Sequence, residues 1–454
     1  MNRKVAMGDQ QHPLTARLEA AASALVADPA ATGAGSAESG LLRYLGYDDG
    51  DAARAEGRAR MLRAAARFRR LFLLPVPDAP GLVFFGGEAD PAALGKQPEG
   101  LPTASLAGSG LSPQKAFESC VGEGIEYLSQ FVQANDPIER GSFTEYGESS
   151  DANVRAFISG MLAFTGIEAD RPMAWVPSSR LVDGARMWFP LDLCYRRQVT
   201  EQDFKPPLKL SSGCAAGVTR EDATLRALLE LIERDAVALW WRGGRRGRPV
   251  APESAAASGA AELLAQARQG QGHGHRTSWL LDITTDIEMP VVAAISTGPD
   301  GHRFAVGFGA RLTLADAARA AVFELCQVEL GLHVVAAKRR ESGDEAMNES
   351  DRRQLKRGTF DTRECALLHP MTGSSAEPPK APASSLRDVL QRLQARDIAV
   401  YAMDLTRPQF LIPVVRVLAP GLQLEPCEIV GARLARVIAE TGGGAMHHGG
   451  MPLL

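Results

Sequence analysis

Three otherwise apolar helical stretches carry acidic side chains at helical spacing, and few folds tolerate that arrangement. In GSGLSPQKAFESCVGEGIEYLSQF (108–131), Ser119, Glu123 and Glu126 fall at i, i+4 and i+7, which puts a hydroxyl and two carboxylates on one face. In LRALLELIERDAVALWW (225–241), Glu230 and Glu233 stand three apart, flanked by Leu228, Leu229, Leu231 and Ile232. In AAVFELCQV (320–328), Glu324 and Gln327 repeat that spacing. A carboxylate among leucines must be paired, protonated or bound to a cation, because burying it bare is costly. Taken singly, each pair can be satisfied at a wet helix edge by Arg226, Arg234 or Lys115. Taken together, converging carboxylates imply a multivalent cation. Hard oxygen donors joined by an amide and a hydroxyl suit Mg²⁺, which keeps waters and bridges substrate phosphates.

The segment KLSSGCAAGVTREDATLRALLELIERDA (209–236) places a turn, Ser211-Ser212-Gly213, and a small-residue run before Thr219, which can cap the following helix. Small residues let backbone approach a ligand closely, and a helix start favours an anion. A plain strand-to-helix turn is the alternative reading of the same residues.

Around these stretches the pattern alternates between strands and helices. Strands are predicted at 80–87, 173–179, 278–284, 290–297, 304–310, 398–406 and 411–420, and helices at Ser112–Ala134, Arg220–Trp241, 314–337, 385–396 and 430–440. GRARMLRAAARFRRLF (57–72) reads as an amphipathic helix with a basic face, either solvated or set against an acidic peptide or partner. The polar segment 341–360 reads as a loop, and the Ala-, Gly- and Ser-rich stretch 1–40 as a mobile N-terminus with a link at 28–40. The fold class is α/β (α+β), mixed sheets packed with helices, divided into an N-terminal region (1–104) and a main domain (105–454).

Composition narrows the function. Fifty Lys plus Arg against 54 Asp plus Glu give a net charge of −4, so no global basic field exists to hold nucleic acid or an anionic membrane. No uninterrupted apolar stretch approaches the roughly 20 residues that span a bilayer. Six cysteines without a CxxC pair, and a start without a signal-peptide run, fit a cytoplasmic protein with reduced thiols. Cys120, Cys214 and Cys326, beside the acidic residues, read as small core residues. GxxxxGK[ST], a helix-opening GxGxxG, HExxH and GxSxG are missing, and the pairs His273/His275 and His447/His448 read as loop residues rather than zinc ligands.

Together these segments resemble the YcaO family. GSGLSPQKAFESCVGEGIEY is similar to the family's first ATP and Mg²⁺ motif, SSGCAAGVTREDATLRALLELIERDAVALWW to its second, and GFGARLTLADAARAAVFELCQ to its third. DLTRPQFLIPVVRVLAPGL (404–422) is like the C-terminal part of the azoline-forming branch. The resemblance covers residues 105–454 and implies an ATP-binding fold without a Walker motif. It implies that Glu123, Glu126, Glu230, Glu233 and Glu324 hold Mg²⁺. Ser119, Ser212, Gly213, Ala216, Glu230, Arg234 and Gln327 would face the nucleotide, with Arg234 on phosphate, and Pro452 and the Leu454 carboxylate would reach the active site from the tail. The chain departs from the family pattern at Gly108-Ser109-Gly110, where Gly-Lys-Gly is usual, at Glu126-Tyr127 for Glu-Arg, at Ser211-Ser212-Gly213 for Ser-Asn-Gly, and at a tail with one proline.

The implied activity is cyclodehydration, in which Cys, Ser or Thr of a ribosomally made precursor peptide is closed onto the preceding amide to give thiazoline or oxazoline. The implied partners are the precursor with its leader, a separate ubiquitin-activating-like or winged-helix subunit that grips the leader, and a dehydrogenase carrying FMN. The resemblance leaves room for a homodimer. Two alternatives stay open: a YcaO enzyme that makes backbone thioamides, and a non-catalytic scaffold.

Overall fold

The computed structural model describes residues 11–29, 37–95, 100–147, 151–269, 276–371 and 383–453. Helices α1 (Gln11–Ala27), α2 (Ala37–Tyr44) and α3 (Ala52–Ala65) lead into an antiparallel sheet ordered β1 (Arg70–Leu73), β2 (Val83–Ala89), β3 (Ala104–Gly110). The expectation of a mobile N-terminus fails for α1. Its Leu18, Ala21, Ala22 and Leu25 are buried in the core that also holds Met451 and Leu453. The link expected at 28–40 falls largely outside the described residues, as does the His273/His275 pair.

The basic helix expected over 57–72 is shifted. It starts at Ala52, where the Asp51 carboxylate accepts from Arg54 N at 3.2 Å, and ends at Ala65. Phe68 then turns into the core, and Arg70–Leu73 pairs with β2 as a strand. Arg60, Arg63, Arg67, Arg69 and Arg70, expected on the basic face, are half-buried or exposed, while Arg58 is buried, pairs with both oxygens of Asp49, and lies 4.9 Å over the Tyr47 ring. Because β3 completes the sheet of β1 and β2, the boundary drawn after residue 104 passes through that sheet.

The chain continues through α4 (Pro113–Ser129), β4 (Glu139–Gly141), α5 (Phe143–Gly147), α6 (Ala152–Thr165), β5 (Met173–Arg180), β6 (Arg186–Pro190) and β7 (Cys214–Ala216). Then come α7 (Arg220–Val237), β8 (Arg248–Pro249), α8 (Ala255–Arg268), β9 (Thr277–Asp282), β10 (Val291–Thr297), β11 (Ala305–Ala310) and α9 (Leu314–Ser342). The last elements are α10 (Glu349–Gly358), α11 (Leu386–Gln394), β12 (Tyr401–Asp404), β13 (Val414–Leu418) and α12 (Ala432–Thr441). One antiparallel sheet runs β11-β10-β9-β8. Another runs β4-β5-β12-β13-β7, with β6 also pairing β5.

The loop expected at 341–360 contains α10. No residue of α10 is buried, so its sequence shows no apolar stripe. It is held instead by a reciprocal cap between Asn348 and Asp351 and by the Lys338–Asp351 pair at 2.6 Å. By length and composition α9 is the one described helix that could cross a bilayer, but it packs against β10, β11 and α8 and buries Glu329.

Three segments share one local plan: β3–α4, β7–α7 and β11–α9 each pass from a strand through a short turn to a helix capped by a hydroxyl. Ser112 accepts from Lys115 N at 3.4 Å, Thr219 from Asp222 N at 3.1 Å, and Thr313 from Asp316 N at 3.1 Å. Helix and strand lie so close that a Cβ on Gly108 would sit 2.2 Å from Cys120 N, and one on Gly307 would sit 2.1 Å from Leu325 N. Each of β3, β7 and β11 is the end strand of its own sheet. Each helix also touches the next unit's strand, α4 on β7, α7 on β11 and α9 on β3, which closes a cycle.

Candidate functional site

The acidic residues sit where these three sheet edges meet. In every unit one site residue lies eleven positions after the capping hydroxyl and another fourteen after it: Glu123 and Glu126 after Ser112, Glu230 and Glu233 after Thr219, Glu324 and Gln327 after Thr313. At 3.6 residues per turn both positions return to the face of the cap, three to four turns along. The first residue of each pair serves its own unit: Glu123 accepts from Ala107 N (2.7 Å), Glu230 from Gly213 N (3.1 Å) and Glu324 from Phe308 N (2.8 Å). The second crosses to the next unit: Glu126 accepts from Ala216 N (2.8 Å), Glu233 accepts from Ala310 N (3.1 Å), and Gln327 Nε2 donates to Ser109 Oγ (3.1 Å). Exposed edge N–H groups need partners, and here carboxylates from the helices supply them.

Each glutamate thus spends one oxygen on a backbone N–H. The second oxygens of Glu123, Glu126 and Glu324 make no hydrogen bond among the described residues. Partial desolvation on its helix face pushes Glu123 up to about 7, although its side chain stays open to solvent. Burial, reinforced by the charges of Glu230 and Glu123, pushes Glu126 up to about 8. Burial and the charge of Glu233 push Glu324 up to about 7, and burial raises Glu230 despite Arg234. Arg234 lies between Glu230 and Glu233, 3.4 Å from each, and its buried Nη1 makes no hydrogen bond. Lys115 and Arg226, the other bland partners, pair with Glu118 and Asp222 instead. Among the described residues no three His, Cys, Asp or Glu side chains close around one point as a finished metal cage. Separated carboxylates with spare oxygens fit Mg²⁺, which takes one or two protein carboxylates and completes its shell with water and phosphate.

Of the remaining expected residues, Gly213 turns the chain with φ +74° as its N–H reaches Glu230, and Ser212 C=O accepts from the buried Arg416 at 3.2 Å. Ala216 is the strand residue that receives Glu126. Ser119 is exposed on α4, one turn before Glu123, with no hydrogen bond among the described residues. Pro452 is flanked by two tethered carbonyls: Met451 O accepts from Trp241 Nε1 (2.7 Å) and Leu453 O from Arg357 Nη2 (2.6 Å). Trp241 sits on a π-helical turn, Ala238–Arg242, directly after α7. Leu454 lies outside the described residues. Cys120, Cys214 and Cys326 are buried, with thiols pushed up to about 12 by burial, as expected of core residues. Sequence reasoning missed Ser109 as the partner of Gln327 and Arg357 as the tether of the tail. The repeated interval from capping hydroxyl to carboxylate was the available signal for the first.

Residues 107–423 match the family described as YcaO cyclodehydratase, ATP- and Mg²⁺-binding, and that range is well over half of the chain. This chain belongs to the YcaO family. A heterocyclase solved in complex with substrate and cofactor shares the YcaO fold with a TM-score of 0.64 at 23% identity, covering 82% of this chain and 52% of its own. The chain therefore spans about half the length of that relative. The YcaO protein of Methanopyrus kandleri, bound with AMPPCP and Mg²⁺, aligns with a TM-score of 0.52 at 18% identity over 78% of this chain and 86% of that one. The E. coli microcin synthetase McbBCD complex aligns with a TM-score of 0.58 at 16% identity over 78% and 88%. No curated protein matches the sequence.

Proposed function

We propose that this YcaO chain is an ATP-dependent cyclodehydratase that turns Cys, Ser or Thr of a ribosomally made precursor peptide into thiazoline or oxazoline rings. The observation that carries the reading is the cyclic arrangement of five glutamates, with Arg234 between Glu230 and Glu233, each held by a backbone N–H and several keeping an oxygen for a cation. Glu123, Glu126, Glu230, Glu233 and Glu324 would hold Mg²⁺, which when bound neutralises charge on a transferring phosphoryl group. Arg234, a buried guanidinium held between two carboxylates, is suited to a phosphate oxygen. Ser119, Ser212, Gly213, Ala216 and Gln327 would line the nucleotide, and Pro452 with the Leu454 carboxylate would approach from the tethered tail.

In the reaction the side-chain nucleophile attacks the preceding carbonyl carbon and its proton is removed. The oxygen of that carbonyl is phosphorylated at the expense of ATP, and the C–O bond then breaks to release phosphate as the former amide nitrogen loses its proton and forms the C=N bond. Phosphorylation is required because an amide oxygen is a very poor leaving group. A leader-gripping subunit and an FMN-bearing dehydrogenase would complete a cytoplasmic synthetase; the likeness to the microcin synthetase complex supports assembly with further subunits.

The test is the intact mass of the genomically neighbouring precursor peptide after incubation with this protein, its neighbouring subunits, ATP and Mg²⁺. Losses of about 18 Da per ring that vanish with Glu233→Gln support cyclodehydration. A gain of about 16 Da would instead identify backbone thioamidation, and no change from a folded, assembled complex would identify a scaffold.

A further inference from the structure

Lys209 and Arg353 stand beside the glutamate ring with side chains that make neither ion pair nor hydrogen bond among the described residues. Lys209 precedes the turn Ser211-Ser212-Gly213 by two residues, whereas Arg353 and Arg357 are four apart on α10 and share one face of that helix. Arg357 feels the charges of Glu324 and Arg353, and Lys209 those of Arg234, Arg353 and Arg357, so the turn before β7, α7 and α10 come together next to the third unit's carboxylate. Partial desolvation, and then those three positive charges, hold the Lys209 ammonium below its usual range, although its side chain stays open to solvent. Arg357 is anchored through Nη2 on Leu453 O at 2.6 Å, and its buried Nε makes no hydrogen bond among the described residues.

Like charges gathered in one place repel unless an anion joins them. The nearby carboxylates are committed, Glu230 and Glu233 to Arg234. The first unit brings no cation of its own: position 109, where the family pattern has Lys, is a serine whose Oγ accepts from Gln327, and Lys115 pairs with Glu118. We propose that Lys209 and Arg353 hold the outer phosphates of the nucleotide, supplying from the turn before β7 and from α10 the positive charge that position 109 lacks. The proposal rests on the reading of the ring as a Mg²⁺-ATP site. ATP carries about four negative charges and one Mg²⁺ offsets two, which leaves charge for cations beyond Arg234. A lysine serves there as a mobile point charge, and an arginine offers a planar fork to two phosphate oxygens.

The test is isothermal titration calorimetry of the full chain with Mg²⁺ and a non-hydrolysable ATP analogue, set beside AMP. Lys209→Gln and Arg353→Gln should each weaken the analogue by about fivefold or more and AMP by less than about twofold, because AMP lacks the outer phosphates. Lys209→Arg keeps the charge and should stay within about twofold of the unaltered chain. Arg352→Gln, on another face of α10, should change the binding of neither ligand. Lys209 and Arg353 are exposed and unpaired among the described residues, so their variants should fold as the parent does. Undiminished binding of the analogue, an equal loss for AMP, or the same loss with Arg352→Gln overturns the proposal. So does a loss confined to the precursor peptide, which would assign these cations to an acidic stretch of that peptide. Because nucleotide is titrated without peptide, absent ring formation with this pattern intact counts against the proposed reaction alone, and intact ring formation without the pattern counts against this assignment alone.

Discussion

Gln327 Nε2 donates to Ser109 Oγ at 3.1 Å, and this one bond, between residues 218 positions apart, closes the cycle begun by Glu126 on Ala216 and Glu233 on Ala310. It is also the point where the cycle changes chemistry, because the first two crossings end in carboxylates and the third in a neutral amide. Gln327→Glu would add a sixth negative charge that can only accept. We expect it to weaken binding of a non-hydrolysable ATP analogue with Mg²⁺ by about tenfold, or about 1.4 kcal/mol, in isothermal titration calorimetry. Ser109→Ala removes one hydrogen bond and should weaken binding less, by about 1 kcal/mol.

The raised carboxylates give the metal-free protein a definite pH response. Glu123, Glu126 and Glu324 lie at about 7, 8 and 7, above the ordinary 4.5, so the folded state holds protons that the unfolded chain has lost. Their contribution to stability is full below pH 4.5 and disappears as pH rises through 7 and 8. The melting temperature of the metal-free protein should therefore fall between pH 6 and 8, and Mg²⁺ with ATP should restore it most strongly at the upper end. Titration in buffers of different ionisation enthalpy should show proton release on binding. A metal-free melting temperature that rises over this range would sink the assignment.

Glu233 and Arg234 should separate chemistry from folding. Glu233→Gln keeps an oxygen for Ala310 N–H, so stability should change by about 1 kcal/mol or less while ring formation is lost. Arg234→Met strands the buried Glu233 and half-buried Glu230 carboxylates and should cost about 3 kcal/mol in urea unfolding at pH 8. Equal stability of the two variants would show that Arg234 does not neutralise the ring.

Close strand-to-helix packing predicts opposite outcomes for two glycine substitutions. Gly307→Ala forces a Cβ to 2.1 Å from Leu325 N and should destabilise by about 1–3 kcal/mol. Gly160→Ala, in α6 with nothing within 4 Å of the added atom, should stabilise by about 0.5–1 kcal/mol. Thermal denaturation of both variants gives the comparison.

The tail offers a further check. Deleting residues 450–454 leaves Trp241 Nε1 and Arg357 Nη2 without the carbonyls of Met451 and Leu453. Ring formation should fall at least tenfold while Mg²⁺-ATP binding stays within about threefold, an upper bound of about 0.7 kcal/mol. Unchanged cyclisation would remove Pro452 and Leu454 from the site.

The sequence exposed the carboxylates of the candidate site more clearly than its frame. Carboxylates at three- and four-residue spacing inside apolar helices are a local signal, so Glu123, Glu126, Glu230, Glu233 and Glu324 were legible before any coordinate. The cycle that joins them was not, since the partner of each crossing residue lies 77 to 218 positions away, with no local pattern to announce it. Arg357 was hidden for another reason: α10 buries nothing, so its stretch carries no periodicity and reads as loop. The helix predicted at 57–72 failed where Leu71 and Phe72 fit both a helical stripe and a strand, and pairing with β2 decided between them.

The three crossing bonds also set a condition on how the molecule comes into being. A chain emerging from the ribosome can form the first unit alone, but Glu126 must wait for Ala216, Glu233 for Ala310, and Ser109 for Gln327, 218 positions later. A chain that stops short of Gln327 therefore leaves the cycle of crossing bonds open. On the proposed function, such shorter chains would neither engage nucleotide nor consume it.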